Sequence, residues 1–316
     1  MVTTFNLDQI VNALEKVDPI KAIEEGFVAY SQGKVVVPPV GEMIFDDPPG
    51  ETHIKYGFIK NDDYFVIKIA SGFYENYKID LPSNSGVMLL FSQKTGELMS
   101  VLFDEGHLTS VRTAAAGAVV AKYLAPENVQ RIGIFGAGSQ GRLQVEYLKP
   151  FVDCNDVIVW GINQEEVDVY KKDMESLGYN VQTTLEPDDI TANCNFIVTA
   201  TPSKTPLVKC DLIQKGTHIT AMGSDTAEKQ ELESTILQQA DLVVADSISQ
   251  CQSRGEIFKA LQAGVLQQED VVELGHVIVD EELQRTSDEQ ITVADLTGVA
   301  VQDIQITKAV YKALVT

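Results

Sequence analysis

The run Arg131-Ile132-Gly133-Ile134-Phe135 passes directly into Gly136-Ala137-Gly138-Ser139-Gln140-Gly141, and this junction restricts the fold more than any other stretch of the chain. A short apolar strand that turns at a glycine into a helix opening near Ser139 is the start of a βαβ unit with a phosphate-binding turn. Gly136 permits the tight turn, Gly138 lets backbone N–H groups approach a pyrophosphate, and Gly141 lets the helix lie close to the strand. The helix N-terminus then faces the two phosphate charges. The same glycines would also serve a tight βα turn without a ligand. The strand before them and the helix after them favour a dinucleotide.

The chain beyond this turn extends the pattern. Apolar runs at Asp156-Trp160, Asn180-Thr183, Phe196-Thr199, His218-Ala221 and Leu242-Ala245 alternate with helical stretches, as right-handed crossovers in a parallel, doubly wound α/β sheet require. Ile291-Ala294 reads as a further strand and Gly298 to Leu314 as a final helix. Upstream of about residue 110 the pattern is different. A helix carrying Leu7, Ile10, Val11, Leu14 and Val17 precedes β-rich runs at Lys34-Pro39, His53-Ile59, Tyr64-Ala70, Val87-Phe91 and Leu98-Phe103. Thr109 is a plausible N-cap for a helix reaching about Ala125. With 316 residues, the chain has the length of two domains of ~150 residues each.

Composition narrows the partners. Lys and Arg number 24 against 46 Asp and Glu, a formal net charge of −22 that repels a polyphosphate chain, so nucleic acid is not expected. No apolar stretch approaches the roughly 18 residues of a membrane span. The N-terminus lacks the basic start and apolar centre of a signal peptide, which makes the cytoplasm the expected location. The four cysteines form no CxxC pair and the four histidines stand far apart, so no metal site is expected. On so acidic a chain, a small anionic ligand needs local cations, and each Lys or Arg in an apolar setting becomes a candidate.

Lys68 is one, interrupting Phe65-Val66-Ile67-Lys68-Ile69-Ala70 on the same strand face as Val66 and Ala70. It either lies on a solvated outer face or points into a pocket. Arg112 is the second, placed by the Thr109 start in a first helical turn, where the macrodipole disfavours a cation unless an anion is near. Asp225 comes after the strand His218-Ala221, where carboxyl ends of parallel strands form a ligand crevice. It could move protons there or merely cap a loop. The second strand of the unit ends Trp160-Gly161-Ile162-Asn163, without the carboxylate that usually binds a ribose 2′-OH. Gly161 gives room and Asn163 can donate hydrogen bonds, so NADPH is favoured over NADH.

Together, FVIKIASGFYEN, LPSNSGVMLLF, LTSVRTAAAGAVVAKYLA, IGIFGAGSQGR, VTATPS, AMGSDTAEKQEL and LTGVAVQD resemble the ornithine cyclodeaminase and mu-crystallin family over most of the chain. The resemblance implies a β-rich substrate-binding and dimerisation domain (1–112 and 303–316) joined to a Rossmann domain (113–302), in a homodimer. It implies that Lys68 and Arg112 hold a substrate carboxylate and that Asp225 is the acid/base. It implies cofactor contacts at the Gly136–Gly141 loop, Asn84, Thr113, Thr199, Ala200, Thr201, Met222 and Val299. Many relatives carry an Arg after the paired prolines, whereas Pro38-Pro39 is followed here by Val40. His53 or Lys55 is a candidate for the replacement charge, the alternative being an exposed polar strand face.

The family's shared step is hydride exchange between a nicotinamide and a carbon bearing a carboxylate and an amine or imine. For this chain the expectation is an NAD(P)H-dependent reductase of cyclic imino acids such as Δ1-pyrroline-2-carboxylate. Alternatives are an ornithine cyclodeaminase, an alanine-dehydrogenase-like enzyme, and a mu-crystallin-like protein that binds NADPH without turnover.

Overall fold

Local signals start the helices and alternation builds the first sheet. Asn6 and Gln9 form a reciprocal capping box at the start of α1 (Leu7–Leu14), and Asp18 with Pro19 opens α2 (Pro19–Ser31). The computed structural model describes residues 2–73 and 75–316. It divides into two units, the first running to Thr113 and resuming at Val299, the second spanning Ala114–Gly298.

Unit 1 contains β1 (Thr3–Phe5), β2 (Val35–Val36), β3 (Gly41–Asp46), β4 (Pro49–Ile59), β5 (Tyr64–Phe73), β6 (Asn84–Ser92) and β7 (Leu98–Leu102). Their order is β1-β7-β6-β5-β4-β2, with β3 also paired to β4. Only β1 runs parallel to its neighbour. The expected strand Lys34–Pro39 shrinks to two residues, because prolines 38 and 39 have no N–H to give a ladder. Strand β3 was not expected, being largely exposed and so without alternation. Nor were β1 and α2.

The helix α3 (His107–Leu124) begins before Thr109, which corrects that residue's expected capping role. Asp104 takes that role instead, its carboxylate accepting from Leu108 N–H at 3.0 Å. Arg112 therefore lies beyond the first turn, and the dipole argument does not apply to it. The last helix of the chain, Ala300–Val315, belongs to unit 1, where Ile304 packs with Val66 and Leu90. The expected return at 303 moves to 299.

Unit 2 is an all-parallel, eight-stranded sheet: β8 (Ile132–Phe135), β9 (Asp156–Trp160), β10 (Asn180–Thr184), β11 (Phe196–Thr199), β12 (His218–Ala221), β13 (Leu242–Ala245), β14 (Val271–Glu273) and β15 (Thr292–Asp295). The order β10-β9-β8-β11-β12-β15-β13-β14 reverses direction between β8 and β11. That is the switch point at which open α/β sheets bind ligands. Its helices are α4 (Ser139–Leu148), α5 (Gln164–Ser176), α6 (Pro187–Asn193), α7 (Ser234–Gln239), α8 (Ile248–Cys251), α9 (Gly255–Gln262) and α10 (Leu274–Val279), leaving the C-terminal Ala300–Val315 as α11. The central strands β8, β11 and β12 are buried throughout, as sheets covered on both faces require. Among the described residues, no helix is long and apolar enough to cross a membrane.

Candidate functional site

In unit 1 the hairpin register decides which charges meet. Antiparallel pairing of β4 with β5 sets Lys55 directly opposite Lys68, and both side chains are buried. The solvated-face alternative for Lys68 is therefore wrong: the residue is 2% exposed. Lys68 Nζ lies 3.3 Å from Asp303 Oδ1, and Arg112 Nε lies 3.2 Å from the same oxygen. Arg112 also donates from Nη1 to Gln302 Oε1 at 2.6 Å. Burial lowers the Lys68 ammonium to about 7, with Arg112 and Lys55 pushing the same way and Asp303 opposing them. Gln302 Nε2 is buried with no hydrogen-bond partner. Lys68 and Arg112 thus share the Asp303 carboxylate, and the buried Asp104 carboxylate also feels the charge of Lys68.

His53 lies on the same face as Lys55 but is held differently. Its Nδ1 is 3.5 Å from Glu42 Oε1 and its Nε2 3.6 Å from Glu51 Oε1. Two carboxylates therefore flank the His53 ring, whereas Lys55 lies across from Lys68.

In unit 2 each loop glycine answers to a different constraint. Gly136 has φ +112°, and a Cβ there would stand 2.8 Å from Ala200 O. At Gly141 a Cβ would meet Gly136 O at 2.1 Å, so no side chain fits. At Gly138 a Cβ would meet nothing within 4 Å, leaving the space before α4 open. A tight first turn, an open second position and a closed third are what a pyrophosphate cradle needs, so the residues fit a dinucleotide. Arg142 staples the loop from below, donating from Nη1 to Ala137 O at 2.5 Å and to Gly138 O at 3.1 Å.

The strand ends gather the other candidates. Thr199 closes β11, Thr201 and Ala200 pack against Gly136, and Met222 comes directly after β12. A Cβ on Gly161 would stand 3.5 Å from Ala137 Cβ, which places Gly161 beside the loop. Asn163 accepts from Glu166 N–H with its side-chain Oδ1 as the N-cap of α5, whose first turn also carries Glu165. Asp225 accepts from Lys229 Nζ at 2.7 Å, while its backbone carbonyl accepts from Arg254 Nη1 at 3.2 Å. Asn84, Thr113 and Val299 belong to unit 1.

Gln302, Asp303, Lys229 and Arg142 are not among the residues singled out from the sequence. Asp303 had a local sign, a carboxylate in the first turn of an apolar helix. Lys229 had another, its i,i+4 spacing from Asp225.

Comparison with known proteins gives a consistent picture. The model of the ornithine cyclodeaminase/mu-crystallin family matches residues 2–316. An uncharacterized cyclodeaminase of Sinorhizobium fredii is 36% identical over 309 residues, covering 97% of this chain and 93% of its own. An archaeal alanine dehydrogenase dimer with bound NAD superposes with a TM-score of 0.88 at 31% identity, covering 99% of this chain and 96% of that one. The Δ1-pyrroline-2-carboxylate reductase of Thermococcus litoralis, in complex with NADH and L-proline, gives 0.90 at 25% identity, with coverage of 99% and 98%.

Proposed function

This chain belongs to the ornithine cyclodeaminase/mu-crystallin family, and from that premise we propose that it is an NAD(P)H-dependent reductase of cyclic 2-imino acids. Its substrates in this reading are Δ1-pyrroline-2-carboxylate or its six-membered homologue, reduced to L-proline or L-pipecolate. The observation that carries the reading is the buried pair Lys68 and Arg112 on Asp303, with buried Lys55 opposite Lys68, which suits a carboxylate-bearing substrate.

Lys68 and Arg112 hold the substrate carboxylate, with Lys55 adding positive potential. Asp303 and Gln302 fix the direction of the Arg112 guanidinium. Asp225, with Lys229 beside it, keeps the imine nitrogen protonated and the adjacent carbon electrophilic. Gly136–Gly141, Gly161, Thr199–Thr201 and Met222 hold the dinucleotide, joined in this reading by Asn84, Thr113 and Val299. When bound, the reduced nicotinamide supplies the hydride that makes the new C–H bond.

For the cofactor, the carboxylates of Glu165 and Glu166 in the first turn of α5 weigh against a 2′-phosphate, so NADH serves at least as well as NADPH. Edge strand β3, with Met43, Ile44 and Phe45 exposed, supports a homodimer formed through unit 1. The four cysteines are unpaired, in keeping with a cytoplasmic setting.

One observation favours a second reading. Glu42 and Glu51 beside His53 suit a distal ammonium, as cyclodeamination of ornithine would need. The deciding experiment monitors NADH absorbance with each cyclic imine, and ammonia release from ornithine with catalytic NAD+. Imine-dependent NADH loss is expected. Rapid ammonia release without imine reduction would promote the cyclodeaminase, pyruvate-and-ammonia-dependent oxidation an alanine dehydrogenase, and cofactor binding without turnover a mu-crystallin-like binder.

A further inference from the structure

The fully buried carboxylate of Glu231 has a place in unit 2 that neither Asp225 nor the glycine loop explains. Oε1 accepts from Thr201 N–H at 2.6 Å and from Thr201 Oγ1 at 2.7 Å. Oε2 accepts from Thr199 Oγ1 at 2.7 Å and from Gly223 N–H at 2.9 Å. One side chain therefore joins the carboxyl end of β11 to that of its neighbour β12. Two of the four donors are backbone amides, one on each oxygen, and an ionised carboxylate satisfies all four.

The segment 223–231 leaves the sheet at Gly223 and is fastened to its own starting point by the side chain at its end. Inside this closed loop sits Asp225. A second staple runs across it, Ser224 Oγ donating to Lys229 O at 2.8 Å, and Lys229 in turn holds Asp225. No slack is left at the fastening, since a Cβ on Gly223 would stand 2.2 Å from Thr201 O and 2.5 Å from Glu231 Oε2. The fastening is itself anchored. Glu256, also buried, accepts from Glu231 N–H at 2.7 Å and from Leu232 N–H at 3.2 Å.

We infer that Glu231 is a positioning residue: it clasps the 223–231 loop shut and thereby presents the Asp225 carboxylate to the substrate nitrogen. This inference rests on the acid/base reading of Asp225.

The test is a double-mutant cycle on the full-length protein, read with NADH and Δ1-pyrroline-2-carboxylate. Glu231→Gln keeps the volume but turns an N–H donor toward a backbone N–H, which opens the clasp at one end. Expected is a loss in kcat of roughly 10- to 100-fold when Asp225 is present, and of under about 3-fold in an Asp225→Asn background. The drop in Tm should be equal in both backgrounds, since a structural role does not depend on Asp225. An equal loss of kcat in both backgrounds overturns the inference and leaves the reading of Asp225 standing. If Asp225→Asn alone leaves kcat unchanged, the reading of Asp225 falls and the inference with it. Should Glu231→Gln not fold, Ser224→Ala, which removes the second staple and the Ser224 hydrogen bond to Glu256, is read in the same two backgrounds with the same criteria.

Discussion

Lys55 and Lys68 stand directly opposite each other across β4 and β5, and both are buried. Like charges in that position destabilise a sheet unless something compensates them. Asp303 provides one negative charge against Lys68 and Arg112 together.

A pH profile reads this arrangement. Lys68 must be protonated to hold a carboxylate, and burial with its cationic neighbours brings its ammonium to about 7. The value of kcat/KM for the imine should therefore fall as pH rises through about 7. Lys55→Met removes a like charge and should move the fall to higher pH. Asp303→Asn removes the attracting charge and should move it to lower pH. Profiles that coincide for all three proteins would show that Lys68 does not control capture.

The glycine loop separates binding from stability. Gly138→Val fills the open space before α4, so NADH binding by fluorescence titration should drop at least 10-fold with Tm little changed. Gly141→Ala puts a Cβ 2.1 Å from Gly136 O and should lower Tm clearly, by an overpacking cost of ~1–3 kcal/mol. Unaltered NADH affinity in Gly138→Val would mean that the pyrophosphate lies elsewhere.

His218 makes unit 2 acid-sensitive. Its ring bonds Thr292 Oγ1 at 2.7 Å and Thr220 Oγ1 at 2.9 Å, and burial lowers its proton affinity well below the ordinary 6.5. The unfolded chain takes up a proton that the folded chain refuses, so its contribution is full above 6.5 and is lost as pH falls below it. His218→Gln should flatten the decline of Tm between about pH 6.5 and 5. An unchanged slope would assign the acid loss to other groups.

The exposed edge strand tests the proposed homodimer. Ile44 is 65% exposed between Met43 and Phe45, on a strand paired on one side only. Ile44→Glu should shift sedimentation at micromolar concentration toward the monomer, because burying the new charge in an interface is costly. A monomeric wild-type protein would remove the homodimer from the proposal.

The sequence by itself determined the parallel sheet and its phosphate turn. Strand, glycines and helix are neighbours in the chain, and the interactions that shape them are local, so their spacing records them. Lys55 and Lys68 were partly legible, being equidistant from the turn near Asn61 and Asp62. Tertiary structure alone decided that Lys68 is buried, because a period-two pattern gives two faces without saying which one α11 covers. It also decided that Asp303 meets Arg112 and Lys68. That contact depends on the last helix returning to the first sheet, and an ion pair made by distant segments leaves no periodic trace in either of them.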